Sequence, residues 1–141
     1  MRSHTNRDPF LQKGLLLSNL AFGWLSIGLG FASGAILGIY FRSADWLGGY
    51  DALRRRLVRL GHIAFIGLGI INILYEVTIP YMTGTPTRFA VCHWGFIIGA
   101  IAMPLSCFAT AWRQWLHPLF VIPVTSLVTA AVMTILGVLR I

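Results

Sequence analysis

Four ionisable side chains lie inside otherwise apolar stretches: His62, Glu76, His93 and His117. A titratable group within a membrane-spanning helix is costly, so each is a candidate for function. Counting from the ends of the apolar stretches puts His62, Cys107 and His117 at one depth. Glu76 and His93 fall toward the opposite side. A six-coordinate b-type haem needs two imidazoles at one depth on facing helices. His62 and His117 meet the depth requirement, so they are the candidate axial ligands of a haem iron between spans two and four. Arg55 and Arg59, with Arg54 and Arg56 beside them, would meet the propionates. Cys107 could join the two histidines in a copper-type site of imidazole and thiolate ligands. The plainer alternatives are a His62 at headgroup level and a Cys107 that packs as a small hydrophobe.

Glu76 and His93 have two readings of their own. They could be a hydrogen-bonded pair tying two helices together, or a proton-transfer or quinone-headgroup site with Asn72 and Tyr75 nearby. His62, Gly69, Asn72 and Glu76 recur near the helical period and share one face. His93, Ala100 and Cys107 share a face of the next helix by the same arithmetic. Polar groups avoid lipid, so both faces should point inward.

These side chains need helices that cross a bilayer. Of the 141 residues 57% are hydrophobic and only 11% charged. A soluble domain carries about a quarter charged residues, so this chain could not coat a water-facing surface. Four apolar stretches, at about 14–41, 60–81, 89–112 and 117–139, each reach the length a membrane helix needs. The expected fold is all-α, a single integral membrane domain forming a four-helix transmembrane bundle. Pro104 and Pro123 fall inside spans, and Pro118 suits the first turn of the fourth. Gly30, Gly34 and Gly38 recur every fourth residue in the first span. That spacing lets another backbone approach closely, either within the bundle or from another subunit.

The basic residues cluster in the connections. The stretch from Tyr50 to Arg59 could form a short interfacial helix. Arg42, Arg54, Arg55, Arg56, Arg59 and Arg113 lie on one side, and Arg2, Arg7, Lys13, Arg88 and Arg140 on the other. This leans slightly toward an arginine-rich cytoplasmic loop. Trp46, Trp112 and Trp115 fall at span boundaries, where they would anchor the interface. Such placement of the net charge of +7 fits lipid headgroups rather than nucleic acid.

No nucleotide-binding, metalloprotease or serine-hydrolase motif is present, and Asp and Glu total four. This favours an electron-transfer or non-catalytic subunit over a stand-alone enzyme. Arg56-Leu57-Val58-Arg59 looks similar to the basic element of the membrane-associated eicosanoid and glutathione metabolism proteins. The Ile63–Gly67 stretch has neither the Asn nor the Glu that binds glutathione there. In layout alone, the chain resembles small membrane-anchor cytochrome b subunits of respiratory complexes. The expected function is therefore a small membrane subunit of an electron-transfer complex carrying haem b, in a bacterial plasma membrane. Its expected partners are lipids, other membrane subunits and a candidate quinone. One alternative is a structural accessory subunit that binds only lipid. Another is a small transporter or proton-path protein using Glu76 and His93.

Overall fold

The computed structural model describes residues 9–140, with side chains from residue 19 onward. Arg2, His4 and Arg7 lie outside the described residues, as does the Lys13 side chain. Four helices follow one another: α1 (Pro9–Tyr40), α2 (Leu53–Thr78), α3 (Pro86–Trp112) and α4 (Val121–Val138). All four segments are long and apolar enough to cross a bilayer, and no strand occurs among the described residues. The chain is an all-α, four-helix transmembrane bundle.

Local sequence accounts for the helix ends. Thr85 caps α3 by accepting from the Arg88 N–H at 3.3 Å, and Pro86 follows at the first helical position. A 3-10 turn at Ile79–Tyr81 closes α2, and a longer one at Gln114–Phe120 leads into α4. Pro118 therefore lies in this lead-in turn and not in the first turn of α4. The second helix also begins earlier than hydropathy predicts, at Leu53. Arg54 to Arg59 form its opening turns instead of a separate interfacial helix. Arginine stems can lie along the helix while their heads reach water, so charge does not end it.

Helices adjacent in sequence are adjacent in space. The strong pairings are α1 with α2, α2 with α3, and α3 with α4. Among the described residues α1 touches α3 only slightly, and α1 and α4 form no extended seam, so the bundle is open. Small residues line every seam. A Cβ on Gly69 would stand 2.7 Å from the Gly23 carbonyl oxygen, so α1 and α2 meet backbone to backbone. Gly95 receives Ala130, and Gly99 receives Leu127, between α3 and α4. This is how helices associate in lipid, where apolar burial gives no drive between them.

The glycine stripe of α1 is largely spent in this way. Gly30 takes Ile66 and Gly34 takes His62, both from α2, while Gly38 has open space around it. At Gly30 and Gly34 the stripe is an internal seam and is not a docking face for another subunit. On the other side of α2, Tyr75, Ile79, Cys92, Phe96 and Ala130 form the apolar core. The Tyr75 and Phe96 ring centroids are 5.1 Å apart.

The connection between α1 and α2 is held by Arg55, which is only 3% exposed. Its Nη1 donates to the Ala44 carbonyl at 2.9 Å, and its guanidinium lies 4.6 Å from the Phe41 ring centroid. Trp46 stacks on Tyr40. Trp112 and Trp115 remain exposed at the ends of their segments.

Filling the closest seam should cost more than filling an open site. Gly69→Val should lose about 1–3 kcal/mol, the range for overpacking. Gly67→Ala, whose Cβ would meet nothing within 4 Å, should be near neutral. Unfolding of the purified protein in mixed detergent micelles, followed by helicity, measures both.

Candidate functional site

The seam between α1 and α2 holds a run of polar groups in antiparallel order. Near the arginine-rich end, Ser33 Oγ meets His62 Nδ1 at 3.1 Å. Two turns along, Ser26 Oγ donates to the Phe65 carbonyl at 2.8 Å. Two turns further, Asn19 Nδ2 donates to Asn72 Oδ1 at 2.9 Å. Beyond Asn72, the Glu76 carboxyl lies beside the Leu20 backbone. The shared face His62, Gly69, Asn72 and Glu76 is therefore real, and the partner that meets it is α1.

Asn72 is the joint of three helices. Its Nδ2 donates to Leu68 O at 2.9 Å and lies 3.4 Å from Phe96 O of α3. With carbonyls on its nitrogen side, Asn72 must turn its oxygen to Asn19. Asn19 must then present nitrogen, which sends its own oxygen elsewhere. Both asparagines are fully buried, and Asn19 Oδ1 has no hydrogen-bond partner. Glu76 lies one turn from Asn72 on the same face, and its Oε2 is likewise buried without a partner. Both oxygens belong to residues of the α1–α2 seam; Arg55 Nε and Thr110 Oγ1 are the other buried polar atoms without a partner among the described residues. Buried polar atoms are nearly always satisfied, so a pair of such exceptions marks a place where something donates.

The remaining candidates are distributed differently from expectation. His62 turns to Ser33 and Gly34 on α1, while His117 is exposed in the turn before α4. They share a depth, since Ser106 of α3 reaches the Leu119 carbonyl and Cys107 packs against Gly61. Between them stands α3, which packs against both α2 and α4. Arg55 is committed to the loop carbonyls and does not reach outward for propionates; Arg59 instead stacks on Tyr50, 4.8 Å from its ring centroid. Cys107 is buried against Gly61, and no three His, Cys, Asp or Glu side chains gather as a metal site among the described residues.

His93 is buried on α3, with the edge of the Trp94 ring 5.1 Å away between centroids. Ala100 and Cys107, one face with it, are buried as well. Glu76 lies beside the Leu20 backbone on α1. Tyr75, grouped with Glu76 from sequence, donates its hydroxyl to Phe89 O at 3.1 Å and ties α2 to α3. A groove of about 340 Å³ runs between α2 and α4 over Phe96, but its lining is apolar. The Thr78 and Thr134 hydroxyls at its walls are already bonded to their own helices.

Asn19 was not among the candidates from sequence. The signal was there: Asn19, Ser26 and Ser33 recur every seven residues, a polar stripe on the face that also carries Gly23 and Gly30. Compared with protein-family models, curated proteins and solved structures, the chain matches none.

The Asn19–Asn72 bond should be measurable by a double-mutant cycle. Asn19→Ala, Asn72→Ala and the double variant should give a coupling of about 1 kcal/mol, typical for polar pairs between membrane helices. Detergent unfolding of the four proteins supplies the numbers.

Proposed function

We propose that this chain is a small proton-handling membrane protein, with Glu76 as the group that takes up and releases the proton. One observation carries this reading: Glu76 Oε2 and Asn19 Oδ1 are both buried in the α1–α2 seam and both lack a donor. A protonated carboxyl has an O–H to give, and an ionised one has only acceptors. Protonating Glu76 supplies the donor that this corner of the seam lacks. Losing the proton leaves the acceptors unpaired again, so the site distinguishes the two states.

The neighbouring residues have defined parts in this reading. Asn72 holds Asn19 in the orientation that presents its oxygen, and it is itself fixed by Leu68 O and Phe96 O. Phe96 belongs to α3, so a change at the seam is felt by the central helix. His93, buried on α3, is the candidate for the next proton position. Such a site does work only in a membrane that maintains a proton gradient, as a bacterial plasma membrane does.

The test is proton movement into vesicles that contain the purified protein and a pH-sensitive dye. Wild-type protein should give an imposed-gradient flux that Glu76→Gln reduces at least tenfold, while Glu76→Asp retains part of it. Infrared spectroscopy should show a carbonyl band of a protonated carboxylic acid that Glu76→Gln removes. A flux indifferent to Glu76→Gln overturns the reading.

A further inference from the structure

The connection between α1 and α2 carries more positive charge than its own carboxylates meet. Arg42, Arg54, Arg55, Arg56 and Arg59 stand there against Asp45 and Asp51. Both aspartates are exposed, and among the described residues neither forms an ion pair with any of these arginines.

Two of the cations converge on one aromatic ring. The Arg55 guanidinium carbon lies 5.5 Å from the Tyr50 ring centroid, and that of Arg59 lies 4.8 Å from it. The ring attracts each cation, but the two like charges repel one another. Arg55 is buried, and its Nε has no hydrogen-bond partner, although Nη1 and Nη2 reach loop carbonyls. A buried charge is ordinarily paired, yet among the described residues no carboxylate pairs with this one. Arg59 is half-buried, and its N–H groups make no hydrogen bond among the described residues. The start of α2 adds to the same positive field. Ala52 at the cap position offers no side-chain acceptor, and the first turn holds no acidic residue. Every one of these groups lacks the same thing, an anion.

The surroundings indicate which anion. A guanidinium fork matches the oxygens of a phosphate. Tyr50 is exposed, so its hydroxyl can donate to a ligand from outside. Arg59 stands at the edge of the apolar part of α2, and Leu60 and Ile63 beyond it are exposed. A phosphate at Arg59 would have apolar surface next to it, which suits a diacyl lipid. The excess positive charge favours an anionic headgroup over a zwitterionic one.

We propose that the α1–α2 connection binds one anionic phospholipid, its phosphate held by Arg59 and the Tyr50 hydroxyl with the buried charge of Arg55 behind them. Arg113, exposed on the same membrane face, takes no part.

Native mass spectrometry of the detergent-solubilised protein tests this, with phosphatidylglycerol, phosphatidylcholine and inorganic phosphate as probes. One phosphatidylglycerol per chain should bind more tightly than phosphatidylcholine, and inorganic phosphate should not displace it. Arg59→Gln should weaken that binding about tenfold, the scale of one lost charge-assisted hydrogen bond, with helicity unchanged. Arg59→Lys should keep part of it, Tyr50→Phe should weaken it, and Arg113→Gln should bind as wild type. Equal affinity for the two lipids, displacement by inorganic phosphate, or equal losses in Arg59→Gln and Arg113→Gln overturns the proposal. Glu76→Gln should leave this titration unchanged, so failure here is separable from failure at the proton site.

Discussion

The α1–α2 seam depends on one close approach, where Gly23 and Gly69 let the two backbones touch. Lipid gives apolar side chains no reason to prefer protein over solvent, so helices hold together by fit and by polar bonds across the gap. With no Cβ on either glycine, the helices come near enough for short side chains to bridge them. Ser26 reaches a carbonyl of α2, and Asn19 reaches Asn72. Bulkier residues at the crossing would push these groups apart and leave each of them unpaired in hydrocarbon. Close packing and polar satisfaction are thus one requirement here, met by one stripe of residues.

The same seam holds two acceptors without a donor, the buried oxygens of Asn19 and Glu76. Toward its other end Ser26 and Ser33 meet the Phe65 carbonyl and His62 Nδ1. Ser26, Tyr75 and Thr85 have buried or capping bonds that account for them within the fold. Arg55 is bonded through Nη1 and Nη2, while its Nε is buried without a partner. An arginine among four others in the basic loop and the start of α2 reads as a surface charge, yet its guanidinium is enclosed by loop carbonyls and aromatic rings.

The open arrangement of the helices decides which residues at one depth have a helix between them. His62 and His117 sit at similar levels, but α3 neighbours both α2 and α4. Depth follows from counting residues along a rigid helix at a fixed rise. Facing does not follow, because it depends on which helices are neighbours. Short connections dictate sequential neighbours here, and the bundle stops short of closing α4 onto α1. The groove between α2 and α4 is the residue of that openness, and its lining is apolar.

The amino-acid sequence alone determined the four spans, the inward face of α2 and the buried face of α3. Those properties are periodic and local: hydrophobic length sets a span, and the helical repeat puts His62, Gly69, Asn72 and Glu76 in line whatever they pack against. Helix ends were less legible, since arginines continue α2 beyond the hydrocarbon edge where hydropathy stops reporting. Only the tertiary structure decided that α1 meets the polar face, that the glycines serve an internal seam, and that Asn19 belongs to the site. A single asparagine has no periodic signature of partnership. Its importance comes from Asn72, fifty-three positions away, whose amide is oriented by carbonyls of two helices. Long-range hydrogen-bond geometry chooses which oxygen is left without a donor, and no pattern within one helix contains that information.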